Sequence, residues 1–270
     1  MAEALTQFKL QTVTRDVGRI GLLTIDNGED HTKPNVFGRA ALESLDRALV
    51  RLEQGEWAAL VVTGKPYVFA AGADLAEFPR LRSREQAIEG SRTGHELFGR
   101  IRALPYPTIA AVNGACLGVG FGIAFACDIV VAAATAKLGS PFAKIGAVLD
   151  SGAHRYLAER IGPHRALELI YTGRLLSGEE AAAIGLVNRS VADEDVEGEA
   201  MTMARDIAAG PTAAFKESKR IVRGLAVGPM ALPAVLEAEG AAQGRIARSA
   251  DYAEGITAFQ DKRRPTFEGR

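Results

Sequence analysis

The sequence predicts an α/β fold with a mainly parallel sheet, followed by a helical C-terminal part. Three observations carry this expectation. Short apolar stretches of strand length alternate with segments of helical periodicity through the first half of the chain. Strand, helix and strand in repetition need crossover connections, which are right-handed and give parallel pairing. From about residue 151 onward the pattern is nearly all helical.

In chain order, "FKLQTVTRD" and "RIGLLTID" read as a hairpin with Asp16, Val17 and Gly18 near the turn. "GRAALESLDRALVRLEQ" is an amphipathic helix, because Leu42, Leu45, Leu49 and Leu52 recur at helical spacing. "WAALVVTG" is a buried strand ended by glycine. A polar, helix-prone region covers 83–104 and is stopped by Pro105 and Pro107. "TIAAVNG" is the next strand, "GVGFGIAFACD" a glycine-rich helix start, and "IVVAAA" a third core strand. "GAHRYLAERIG", "PHRALELIYTG" and "SGEEAAAIG" follow as helices, with four more after residue 193. A boundary near 195–210 separates the α/β core from the helical tail.

Composition narrows the functions. The chain has 270 residues, 47% hydrophobic and 24% charged, and 32 Lys and Arg balance 33 Asp and Glu. That balance gives no general attraction to nucleic acid or to an anionic membrane. The start "MAEALTQFKLQTVTRD" has no cationic segment leading into an apolar one, so it does not read as a signal peptide. The longest apolar stretch is broken by glycines, Asn113 and Asp128, short of the roughly 20 residues that span a bilayer. Cys116 and Cys127 fall inside that stretch and read as reduced core residues of a cytoplasmic protein. The four histidines show no metal-ligand spacing, and there is no phosphate-binding loop of the Walker type.

Two glycine-bearing loops follow core strands: "FAAGADL" (69–75) and "NGACLGVGFG" (113–122). Small residues let a ligand approach the backbone, and a helix start beyond each loop would aim free N–H groups outward. Two such donors facing one another would stabilise negative charge on a carbonyl oxygen. Either loop alone is better explained by tight turns and close helix–sheet packing. "GVGFG" also lacks the spacing of a dinucleotide fingerprint.

Together with "ACDIVVAAATAKLGSP", "YTGRLLSGEEAAAIGLVNRSV" and "EGITAFQDKRRPTF", these loops are similar to segments of the crotonase (enoyl-CoA hydratase/isomerase) superfamily, in family order. The resemblance implies a spiral core of repeated ββα units over residues 1–200. It also implies a helical trimerisation region over 201–270, with trimers that often pair into hexamers. The ligand it implies is a coenzyme A thioester, with no permanently bound cofactor. By that likeness the N–H groups of Ala73 and Val119 form the oxyanion hole, with Gly118 beside it. The backbone of Ala71, Gly72, Ala73, Asp74 and Leu75, with the segment from Lys33 to Phe37, holds the coenzyme A. Lys262 reaches the nucleotide phosphates.

The sequence also departs from the family's hydratases. Their two water-activating glutamates would fall at Gly122 and Phe142, neither of which moves a proton. A positioned acid–base group supplies about 10²–10⁴-fold, so the usual hydration route is not expected. Asp150 in "FAKIGAVLDSG" coincides with the catalytic aspartate of dienoyl-CoA and ring-epoxide isomerases of this superfamily. Val148, Leu149 and Phe142 would make its pocket apolar and improve it as a base. Capping of the following helix is the competing role for Asp150, and the two are compatible. The leading expectation is therefore an enoyl-CoA double-bond isomerase. The alternatives are a weak or rearranged enoyl-CoA hydratase, an aryl-CoA dehalogenase or thioesterase, and a non-catalytic acyl-CoA-binding protein. In the dehalogenase reading Asp150 attacks the aryl ring, and His95 serves as base in the hydrolysis that follows. His154, one turn after Asp150, is expected either at the surface or bonded to that carboxylate.

Overall fold

The computed structural model describes residues 5–14, 18–74, 84–145, 147–227, 241, 245 and 248–269. Alternation is visible at once in β1 (Gln7–Thr14), where Phe8 and Leu10 are buried between exposed Gln7, Lys9 and Gln11. It pairs antiparallel with β2 (Ile20–Asp26), the expected hairpin. β3 (Ala59–Gly64) and β5 (Thr108–Val112) are buried throughout, as strands covered on both faces must be.

The chain winds as a spiral. The large sheet has the order β1-β2-β3-β5-β7-β9, where β7 is Ile129–Ala133 and β9 is Arg189–Val191, parallel from β2 onward. The second sheet is parallel and has the order β4-β6-β8: Tyr67–Ala70, Gly114–Leu117 and Leu138–Gly139. Each turn thus lays one strand in each sheet before a helix returns the chain. The helices are α1 (Arg39–Gln54), α2 (Arg84–Ala103) and α3 (Val119–Ala126). This is the ββα repeat expected from the resemblance. One local reading is corrected: Phe69, Ala70 and residues 114–117 are strand, not loop.

Helix α4 (Ala153–Thr172) breaks at Gly162, whose φ of 76° and ψ of 161° are non-helical, and Pro163 follows. The break falls where the sequence divided "GAHRYLAERIG" from "PHRALELIYTG". α5 (Gly178–Ala183) starts with a reciprocal capping box, Ser177 with Glu180. α6 (Val196–Ala208) buries Val196, Ala200, Met201, Ala204 and Ala208 and packs against β2, β3, β5 and β7. That helix belongs with the sheet, so the 200/201 boundary falls inside it. α7 (Thr212–Val227) and α8 (Ala250–Gln260) follow. Both cysteines are free and buried. Among the described residues, no helix is long and apolar enough to cross a membrane, and no group of three or more His, Cys, Asp or Glu could hold a metal ion.

Candidate active site

The two glycine-bearing segments meet. Gly72 has a φ of 107° and Gly118 a φ of 53°, a range that L side chains rarely adopt. A Cβ built on Gly118 would lie 3.5 Å from the Gly72 Cα, so the backbones nearly touch. On the first segment, Phe37 N–H donates to the Gly72 carbonyl and Asp74 N–H to the Phe37 carbonyl, each at 3.0 Å. This parallel bridge between Phe37 and Ala73 turns the Ala73 N–H away from Phe37. On the second, Gly118 N–H donates to the Gly139 carbonyl, and Val119 opens α3, leaving its N–H at the helix's positive end. Among the described residues neither the Ala73 nor the Val119 N–H has a backbone acceptor. The Val119 side chain is buried in the core at 8% exposure.

One buried amide secures the first segment. Asn35 is fully buried, and its Nδ2 donates to the carbonyls of Ile25, Val68 and Phe69, at 2.9, 3.4 and 3.3 Å. Its Oδ1 accepts from Asn27 N–H, and its backbone carbonyl accepts from Ala71 N–H. It therefore ties β2, β4 and the 71–74 segment into one unit. Buried Lys65 does similar work on the 27–30 loop, donating to Asn27 Oδ1 and to the Glu29 and Asp30 carbonyls. Nothing in the local sequence marks either residue, because their partners lie up to 38 positions away. Asn35→Ala is expected to cost about 2–3 kcal/mol, since it strands buried backbone groups. Urea denaturation measures this, and a midpoint equal to wild type would refute the role given to the amide.

The acidic residue, Asp150, lies just ahead of α4. Capping is not its role: the N-cap of α4 is Gly152, in the left-handed region, with no side-chain cap. Asp150 instead contributes its backbone carbonyl, which accepts from Ala153 N–H at 3.0 Å. Its carboxylate Oδ1 accepts from the Ser151 hydroxyl at 2.8 Å, not from a helix N–H. Ser151 is 3% exposed and lies against α3. A Cβ at Gly122 would overlap the Ser151 side chain and lie 2.7 Å from its carbonyl oxygen. Gly122 is three residues past Val119, about 4.5 Å along the helix. The Asp150–Ser151 step therefore flanks the same first turn whose leading N–H belongs to Val119.

Other expected residues divide. The Phe142 ring packs over Gly118, with Cε2 3.5 Å from a Cβ built there, and walls the site with apolar carbon. Leu149 is buried, but Val148 is 79% exposed and does not enclose the acid. An open cleft of about 330 Å³ lies beside this segment, lined by Phe142, Val148, Leu149, His154 and Tyr171 among others. His154 is exposed and has no hydrogen bond to Asp150 among the described residues. His95 is brought in: its Nε2 accepts from Ser151 N–H at 3.2 Å. Lys33 is exposed, with its N–H on the Asp30 carbonyl, on the segment that leads to Phe37. Lys262 lies on the exposed turn after α8 with a φ of 55°, and among the described residues no hydrogen bond or ion pair joins it to the site. Leu75 is outside the described residues. Ser151, which no local sequence pattern marks, is the residue that joins α2, α3 and the acid.

Residues 19–270 match the family model described as enoyl-CoA hydratase/isomerase. The chain belongs to that family. It is therefore a crotonase-superfamily enzyme of the hydratase/isomerase type. Among similar proteins, a probable enoyl-CoA hydratase of Rhodobacter capsulatus is 35% identical over 252 residues, covering 93% of this chain and 95% of its own. The mitochondrial methylglutaconyl-CoA hydratase of Mus musculus is 33% identical over 243 residues, covering 87% and 76%. The crystal structure of an enoyl-CoA hydratase from Bacillus anthracis superposes with a TM-score of 0.88 at 29% identity, covering 98% of this chain and 100% of the other.

Proposed function

We propose that this family member moves the double bond of an enoyl-CoA thioester, using the Ala73 and Val119 N–H groups as an oxyanion hole and Asp150 as the only proton carrier. The thioester carbonyl accepts both N–H bonds. Asp150 removes a proton from C2 of a 3-enoyl thioester, the electron pair spreads over a dienolate whose oxygen faces the two donors, and Asp150 returns the proton at C4. Atoms balance without water, and the product is the 2-enoyl thioester. The donors are part of the fold and need not reorganise when charge develops, which is where such sites gain most.

The observation that carries this reading is Gly122 packed against Ser151. The names of the relatives point to hydration, but water addition by the usual route needs a glutamate at that position. Here the Ser151 Cβ and carbonyl oxygen fill the space where such a side chain would begin. Phe142 at the second glutamate position supports the same choice.

Proton NMR in D₂O of a 3-enoyl-CoA and a 2-enoyl-CoA with the wild-type enzyme tests the proposal. Deuterium at C2 or C4 with migration of the double bond is expected. Accumulation of the 3-hydroxyacyl thioester without exchange at C4 would replace isomerisation by hydration. Binding without any exchange would leave only an acyl-CoA carrier. Attack by Asp150 on an aryl thioester is separated by oxygen-18 entering Asp150 over repeated turnovers, which isomerisation never produces.

A further inference from the structure

We infer that His95 is a positioning residue: by accepting the Ser151 N–H, it fixes the turn from which Ser151 aims the Asp150 carboxylate. This rests on the reading of Asp150 as the proton carrier.

The turn has a backbone problem that local sequence does not solve. Ser151 has a φ of 58° and Gly152 a φ of 76°, two successive left-handed residues. Such a φ is unfavourable for a residue with a Cβ, and strain of this kind persists only where the surroundings hold it. Ser151 precedes the N-cap of α4, so its N–H has no carbonyl within the helix to bond. The residue is almost wholly buried, so water is not the general answer either. The acceptor comes from α2, 56 positions earlier in the chain: His95 Nε2, 3.2 Å away.

On the other side the Ser151 Cβ is seated against the bare backbone of Gly122 on α3. The residue is thus held between two helices, and what it presents is a hydroxyl, donated at 2.8 Å to Asp150 Oδ1. A glycine at 151 would adopt the same φ more readily but could not make that bond. The serine is explained by its hydroxyl.

The arrangement assigns the imidazole a definite task. To accept an N–H, Nε2 must carry no proton, which leaves the ring's hydrogen on Nδ1. The nitrogen that points at the loop is therefore occupied by the backbone. His95 acts on the acid through Ser151 rather than by exchanging protons with substrate.

A side chain that merely accepts a hydrogen bond can be replaced by another acceptor, whereas a proton carrier cannot. The test compares His95→Ala, His95→Gln, Ser151→Ala and the double variant His95→Ala/Ser151→Ala. The measurements are kcat and KM for double-bond migration and the amide proton signal of Ser151. His95→Ala is expected to lower kcat by about 10–100-fold, the range a displaced catalytic group costs, with KM little changed. His95→Gln is expected to recover most of that loss and to preserve the Ser151 amide shift, which His95→Ala moves. The double variant should lose less than the product of the two single losses, because both act through one turn.

Equal loss in the Ala and Gln variants, with the Ser151 amide unmoved in Gln, would overturn the proposal in favour of a proton-transfer role. An unchanged kcat in His95→Ala would overturn it as well. Failure of the underlying reading shows separately, as exchange that persists in Asp150→Asn while the Ser151 amide still follows the His95 substitutions.

Discussion

Asp150→Asn is expected to lower the proposed double-bond migration by about 10²–10⁴-fold, the contribution of one positioned acid–base group. Asparagine keeps the shape of the side chain and an oxygen that accepts the Ser151 hydroxyl, whose bond to Oδ1 is 2.8 Å. The neighbouring backbone is undisturbed, because the Asp150 carbonyl that Ala153 N–H uses is main chain. Folding and thioester binding should therefore change little, and the loss appears in kcat. Because the substitution removes only the ability to carry a proton, deuterium entry at C2 and C4 should fall with turnover. An Asp150→Asn enzyme that still exchanges at both carbons would remove Asp150 from the chemistry.

Gly122→Glu returns a carboxylate to the position that family hydratases use, and it is expected to restore no hydration. The first side-chain atom would already overlap Ser151, which is itself wedged against α3 and bonded to α2. Overpacking of a buried site costs about 1–3 kcal/mol, and a carboxylate there must also find hydrogen-bond partners or remain costly to bury. A loss of about 3 kcal/mol or more is expected from Gly122→Glu, and about 1–3 kcal/mol from Gly122→Ala. Both variants push the Asp150–Ser151 step away from the first turn of α3, so migration should slow even where the protein stays folded. Chemical denaturation and assays for migration and hydration check the two parts. A Gly122→Glu protein as stable as wild type that hydrates a 2-enoyl thioester would show that the loop makes room, and that the close packing does not exclude the hydratase route.

The two predictions draw on different kinds of information. The β1–β2 hairpin, the apolar stripe of α1, the buried runs of β3, β5 and β7 and the break before Pro163 are all local patterns, and each was legible in order along the chain. Periodicity reports burial directly when an element is long enough to express it. β4 and β6 have four residues each, one of them opening on glycine, and they pair with each other across more than 40 positions. No period can be read from so few residues, so by sequence alone these strands read as loops. The departures at Gly122 and Phe142 were readable as missing proton carriers, since the residue types alone exclude that chemistry.

Proximity was a different matter. Whether Asp150 caps a helix depends on two left-handed residues, Ser151 and Gly152, which move the N-cap past it. Local composition favours a cap wherever Asp precedes a helix, and only backbone dihedrals contradict it. Likewise, His95 and Ser151 are 56 residues apart, and Asn35 is 33 and 34 from two of its acceptors. Residue chemistry along the chain established which groups could take a proton or line a thioester site. Which of them share a hydrogen bond was decided by the packing of α2, α3 and the turn before α4, because a contact between distant segments leaves no periodic trace in either one.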